Sequence, residues 1–289
     1  SKLQHRCGQI KGWVENCEQR GDGRVSARIT GITNTGRRKH GIVANVPKAK
    51  EHVFLGREMR SLFIAKPGYK MVGWDAASMQ LRIGAHYSKD AAFVKALVEG
   101  KEEDGTDAHS LVTKDAGLAN RDEGKRAVYC GIFGGSEKRF IAEFGPTGAK
   151  VREAVIARFP GVINLGDRVK KAAQRGYLKG IDGRKIWLRR DEQGKVKTHT
   201  GLVTLIQSGE GIPMALVYGL LHHKIKQEGL DARIVVFMHD EIQAEVHPKD
   251  VERYKELSRA CMKQAEKVFN FFCPLDIEAK VGADWSETH

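Results

Sequence analysis

Cysteine is scarce in this chain: five residues among 289, odd in number, widely scattered and without a C-x-x-C pair. That excludes a disulfide framework and a cysteine-based zinc site, and it suits a reducing cytoplasm. Long apolar runs are missing as well. No stretch has the length of a membrane span and no secretory signal pattern is visible, so a membrane is not the expected partner. Internal repeats and low-complexity tracts are also absent, and the chain does not read as a repeat array.

What is present is the composition of a soluble globular protein with an excess of positive charge. The 41% apolar and 29% charged fractions are ordinary, and 289 residues suffice for one large domain or two smaller ones. The balance of 49 Lys and Arg against 36 Asp and Glu leaves +13. A field of that sign attracts polyanions, of which nucleic acid is the commonest in a cell.

Along the chain, the first 60 residues are basic and Gly-rich, with Gly21-Asp22-Gly23 and Thr35-Gly36-Arg37-Arg38-Lys39 as loop signals. The apolar run Tyr69–Trp74 ends at Asp75, and residues 78–87 then take helical spacing. Residues 90–180 are predicted mainly helical, 181–190 a turn into a strand, and 200–228 a helix. Ile234–Met238 is the clearest strand; it turns at His239-Asp240-Glu241 and returns through Ile242–Val246 as a hairpin with acids at its tip. A basic amphipathic helix over 249–270 precedes a short tail. A helical insert on an antiparallel sheet accounts for this order.

Two constellations carry chemistry. Asp75 follows one predicted strand and Asp240 sits at the turn after another. Each by itself is equally a turn or capping residue; brought together, two carboxylates repel unless a cation lies between them. Oxygen ligands with no His/Cys set nearby point to Mg²⁺ or Mn²⁺. Two such ions roughly 3.5–4 Å apart serve phosphoryl transfer. The second constellation begins at Asn120, which with Glu123 has the form of a capping box and starts a helix near Arg121. Arg121, Lys125 and Tyr129 then share one stripe, two cations at a positive helix end with an aromatic two turns on. A solvated basic face with Tyr129 in the core fits the same spacing. His109 is either a further phosphate donor or a surface histidine. Arg37 and Gln207 could contact a duplex without reading its sequence.

Taken in order, these segments resemble family A DNA polymerases, nearest the bacteriophage replicative type and more distantly bacterial DNA polymerase I. Asp75-Ala76-Ala77-Ser78-Met79-Gln80-Leu81-Arg82 with Ala85-His86 is similar to motif A. Arg121, Lys125, Tyr129 and Gly134, with His109 upstream, are similar to motif B, and Met238-His239-Asp240-Glu241 to motif C. Thr35-Gly36-Arg37, Asn45-Val46-Pro47, Gly183-Arg184-Lys185, Gln207-Ser208 and the tail from Val281 through Trp285 to His289 resemble further landmarks. The resemblance implies an α+β right-hand fold: an antiparallel-sheet palm over 1–90 and 190–289, with helical fingers over 91–189. It implies a template-directed DNA polymerase adding dNTPs to a primer terminus, with two Mg²⁺ ions on Asp75, Asp240 and the Ala76 carbonyl. Glu241 becomes a supporting catalytic acid, and Lys125 a general acid toward pyrophosphate. Gln80, His109, Arg121, Lys125 and Tyr129 would bind dNTP. Arg37, Phe133, Gln207 and His239 would bind the primer–template.

Departures from the family pattern are Gln80 for a usual Glu associated with excluding ribose, Phe133 for Tyr, Val203 for a DNA-contacting Asn, and Cys130 for Gly. The resemblance begins where a palm begins. The thumb and exonuclease are therefore expected from a second polypeptide or from a longer chain, and no proofreading is expected here. Two other readings are a single-subunit RNA polymerase, which Gln80 favours and Glu241 disfavours, and a non-catalytic DNA-binding subunit, which the intact acids and cationic stripe disfavour.

Overall fold

The computed structural model of the protein describes residues 1–43 and 45–289. They form two compact units. The first comprises Ser1–Ala77, Met214–Ala265 and Asp276–His289; the second comprises Ser78–Pro213 and Glu266–Leu275. The helix α10 (Gly201–Gln227) is divided between them after Pro213. These limits are set by contacts, and they fall at 77/78 and 213/214 rather than at the 90/91 and 189/190 expected for palm and fingers.

The first unit is built on a four-stranded antiparallel sheet in the order β6 (Ala232–Met238), β7 (Glu241–Val246), β3 (Lys70–Ala76), β8 (Ile277–Gly282). Because strand side chains alternate, the register fixes two faces. One carries Val72, Trp74 and Ala76 of β3 with Ile242, Ala244 and Val246 of β7, all buried. The amphipathic helix α11 (Val251–Val268) buries its own stripe of Tyr254, Leu257, Cys261, Met262 and Ala265.

The other face is unusual in being both polar and buried. Glu241, Gln243 and Glu245 of β7 are 3%, 1% and 3% exposed. They lie on the face of Val236 and Met238, which pack on a cluster of Trp13, Val43, Val46, Met59 and Trp285. Buried polar groups demand partners, and each has them. Glu245 accepts from Arg24 Nη2 at 2.9 Å and from the Lys66 N–H at 3.1 Å. Gln243 accepts from the Thr288 hydroxyl at 2.7 Å. Gly73 pairs with Gln243 across the strands, where a Cβ would lie 2.3 Å from its amide, so a side chain here would force that hydrogen-bonded amide to shift.

Trp13 belongs to α1 (Lys2–Arg20), a helix where the sequence reading assigned no element. Ser1 and Gln4 form its capping box, and Gly21, at φ 67°, ends it. The helix escaped notice because Trp13 is its only buried residue, too little to print a 3.6-residue period. A small hairpin of β1 (Ile29–Ile32) and β2 (Arg38–His40) follows, then α2 (Gly56–Ser61).

The second unit is helical, as expected. Its helices are α3 (Met79–Ser88), α4 (Ala91–Val98), α5 (Ala108–Ala116), α6 (Arg121–Ile132), α7 (Glu137–Phe144), α8 (Gly148–Arg158) and α9 (Pro160–Ala173), with the first half of α10. Glycines let these helices approach closely. A Cβ at Gly84 would meet Ile132 at 2.2 Å, and one at Gly124 would meet the His109 carbonyl at 2.4 Å. A hairpin of β4 (Tyr177–Lys179) and β5 (Lys185–Trp187) completes the unit. No helix among the described residues is long and apolar enough to cross a membrane.

Candidate active site

The pairing of β3 with β7 sets Asp75 directly across from Glu241. Cα atoms so paired lie roughly 4.5–5.5 Å apart. One step on, the Ala76 N–H donates to the Asp240 carbonyl at 3.0 Å, so the ladder continues into the turn and holds Asp240 beside Ala76. Backbone hydrogen bonds thus bring Asp75 to the adjacent pair Asp240 and Glu241, far along the sequence, and Glu278 on β8 faces Asp75 from the other side. The turn residue His239 adopts the left-handed conformation, φ 58°, a strained choice for a non-glycine residue at a site.

The three acids titrate differently. Burial, then the charge of Glu241, push the Asp75 carboxyl up to about 7, against relief from His289. Burial also raises Asp240, while Arg37 and His239 draw it back. Burial would raise Glu241 too, but His289, Arg60 and Gln243 outweigh it and hold that carboxyl below its ordinary value. Glu241 accepts from the Trp285 indole N–H and from Gln243 Nε2 at 2.9 Å, with His289 Nδ1 at 3.1 Å and Arg60 Nη1 at 3.8 Å. Arg60, 2% exposed, also donates to the Pro47 carbonyl at 2.7 Å and stacks on Trp285. Glu241 is therefore a committed anion in a closed network, whereas Asp75 and Asp240 carry charge that burial disfavours.

A divalent cation would relieve that disfavoured charge, and the donors suit one: ligand atoms of Asp75, Glu241 and His289 lie within 4.8 Å of one another. This set differs from the expected one of Asp75, Ala76 and Asp240, sharing only Asp75. Arg37, at the tip of the β1–β2 hairpin, acts electrostatically on Asp240 and His239.

The remaining predicted residues belong to the second unit. Asn120 caps α6 by accepting from the Glu123 N–H at 3.0 Å; the Glu123 carboxylate accepts from Ala119 rather than Asn120, so the capping box is displaced by one residue. Arg121 pairs with Glu102 and Asp107, both at 3.1 Å. Lys125 is exposed and makes no ion pair among the described residues. Tyr129 is half-buried, between His109 (rings 6.2 Å apart and nearly parallel) and Phe133 at 6.1 Å. His109 is not a surface residue. It is 8% exposed, and burial with the nearby Arg121 lowers it to about 4, leaving a neutral ring at pH 7.

Gln80 donates through Nε2 to Glu210 Oε2 at 2.9 Å, and Glu210 is fully buried. Gln207 is half-buried on α10 between the buried Ile206 and Ser208. Glu210, Asp107 and Arg60 were not legible in sequence: Glu210 and Arg60 lie far along the chain from Gln80 and Glu241, and Asp107 at the start of α5 meets Arg121 at the start of α6. Trp285 and His289 gave a signal, as marked positions of the tail.

The family model described as DNA polymerase family A matches residues 2–287. A DNA-directed DNA polymerase of Escherichia phage Phieco32 is 29% identical over 99% of this chain and 58% of its own length. DNA polymerase I of Pseudomonas aeruginosa is 26% identical over 81% of this chain and 27% of its own length. The chain thus spans between about a quarter and three-fifths of these curated relatives. Among solved structures, the polymerase domain of Pol1 from M. smegmatis, in complex with DNA primer-template and dNTP, superposes with a TM-score of 0.79. It covers 92% of this chain and 49% of that one at 24% identity, a likeness of fold. On the match over nearly its whole length, the chain belongs to DNA polymerase family A.

Proposed function

We propose that these residues form the catalytic part of a template-directed DNA polymerase, transferring nucleotides from dNTPs to a primer 3′-hydroxyl with release of pyrophosphate. The observation that carries this reading is the backbone pairing that gathers Asp75, Asp240 and Glu241 and leaves Asp75 with a proton affinity raised to about 7. Asp75 and Asp240, with the Ala76 carbonyl, hold two Mg²⁺ ions, for which Mn²⁺ substitutes. Bound there, the ions would neutralise charge developing on phosphoryl oxygens. Glu241 supports the site from within its network and keeps Arg60 and His289 in place.

In the second unit, Arg121 exchanges its carboxylate partners for the triphosphate, which leaves Glu102 and Asp107 to solvent or to other cations. Lys125, without an ion pair among the described residues, meets phosphate directly and protonates the departing pyrophosphate. His109, being neutral, contributes an N–H donor rather than charge and packs Tyr129 against the sugar. Arg37, His239, Gln207 and Phe133 contact primer and template, and the surplus of positive charge supports their backbone contacts. Thumb and exonuclease functions come from sequence outside these 289 residues, in a second polypeptide or the same chain, a reading supported by the greater length of the relatives. Five free cysteines suit a cytoplasmic setting.

The test is primer extension in Mg²⁺. Asp75→Asn and Asp240→Asn should each reduce extension at least about 1,000-fold while DNA binding persists; substantial extension by either variant sinks the metal assignment. One observation favours a second reading, a polymerase with relaxed sugar selectivity. Gln80 presents a neutral amide already engaged with Glu210, so its hold against a ribose hydroxyl is weaker than that of a free carboxylate. Competition between rNTPs and dNTPs on a primed template distinguishes the two.

A further inference from the structure

The hairpin of β4 and β5 carries a surface that the proposed reaction does not use. Its residues alternate as strands do. Leu178, Ile186 and Leu188 point inward and are 3%, 1% and 7% exposed. The opposite face presents Tyr177, Lys179, Lys185, Trp187 and Arg189. Tyr177 pairs across the strands with Trp187, their rings 5.4 Å apart, and Lys179 pairs with Lys185.

Three observations point to a ligand. Trp187 is 62% exposed, while the other three tryptophans of the chain are no more than 6% exposed. An indole exposed to that degree is a large apolar surface facing water. Cations gather on its cross-strand neighbour: the Arg175 guanidinium stands 4.7 Å from the Tyr177 ring and Lys185 Nζ 5.0 Å. Residues 175–197 hold eight cations against three acids. Finally, Lys179 and Lys185 are like charges directly opposite each other, an arrangement that weakens a hairpin, and neither makes an ion pair among the described residues. Hairpin stability accounts for the aromatic pair but not for the lysine pair. An anion shared by the two lysines accounts for the lysine pair.

We propose that this face binds unpaired single-stranded nucleic acid, with one base stacked on Trp187 and the backbone phosphate held by Lys179 and Lys185. A single strand is the occupant because its bases offer free faces; in a duplex those faces are covered by neighbouring pairs. Stacking of this kind tolerates any base, and the lysines read no sequence. The identity of the strand as uncopied template rests on the polymerase reading, whereas the binding does not.

The experiment uses the intact chain in EDTA, without nucleotide, so that it is independent of metal binding and of extension. Because Trp187 is the one exposed tryptophan, the long-wavelength, acrylamide-accessible part of the emission reports on it. Titration with a 16-residue oligothymidylate should quench that part, and a blunt duplex of the same length should not. By fluorescence anisotropy, Trp187→Ala should weaken oligothymidylate binding roughly 5- to 100-fold. Lys179→Ala with Lys185→Ala should make the salt slope shallower by about 0.7, for the one phosphate they share. Binding of the oligonucleotide without quenching, no binding at all, or equal quenching by the blunt duplex would overturn the proposal. So would unchanged affinity in a Trp187→Ala protein whose circular dichroism matches the parent. Substantial extension by the aspartate variants with quenching intact would instead remove only the polymerase reading as argued from the metal site.

Discussion

Replacing Gln80 by glutamate converts the 2.9 Å hydrogen bond to Glu210 into a contact between two carboxylates, one of them fully buried. The charge-assisted bond that is lost contributes about 1.5–3 kcal/mol. Two like charges about 3 Å apart add repulsion of about 5 kcal/mol at an effective dielectric constant of about 20. Uptake of a proton by the pair caps that sum, so the expected destabilisation is about 4 kcal/mol at pH 8. The sign follows from linkage. The new carboxyl pair has a folded-state pKa above its unfolded value, so stability is lost as pH rises and regained as pH falls. The change is about 1.4 kcal/mol per pH unit while the pair titrates, which brings the deficit to about 1 kcal/mol near pH 5.5. Urea unfolding at the two pH values measures this directly. The exchanged double variant, Gln80→Glu with Glu210→Gln, restores one amide and one carboxylate and should recover most of the loss in a double-mutant cycle. A Gln80→Glu protein as stable as the parent at pH 8, or a deficit unchanged with pH, would refute the assigned contact.

Three further outcomes are expected. Asp75, raised to about 7 when the protein is free of metal, makes metal-free stability fall as pH rises from about 4 to 7, and Mg²⁺ or Mn²⁺ should restore it; thermal melts with and without the ion check this, and a cation effect absent at pH 8 counts against the site. Gly124→Ala would set a Cβ 2.0 Å from Thr113 Oγ1 and 2.4 Å from the His109 carbonyl. Separating α5 from α6 should cost about 1–3 kcal/mol, read as a lower Tm together with weaker dNTP binding. Arg60→Ala leaves Glu241 buried with one cation fewer and should destabilise by about 3–5 kcal/mol; a near-neutral urea midpoint would show that His289 alone suffices.

Local sequence determined the elements whose chemistry is local. The run ending at Asp75, the hairpin about His239-Asp240, the capped start of α6 and the stripe Arg121–Lys125–Tyr129 follow from turn residues, caps and periodicity, and the structure has them at those places. The order of the motifs carried the family, because a chain must present these residues in sequence before it can fold them together. Tertiary structure alone decided what each polar group meets. Whether Glu241 is a free acid or a committed partner of Arg60, Trp285 and His289 depends on the strand register and on a tail 44 residues away. Whether His109 carries charge depends on burial between two helices that approach through Gly124, and Gln80 meets an acid 130 residues on, at Glu210. Burial and electrostatics are sums over neighbours in space, so a linear pattern fixes which groups a chain offers and the packed structure fixes their proton affinity and their partners.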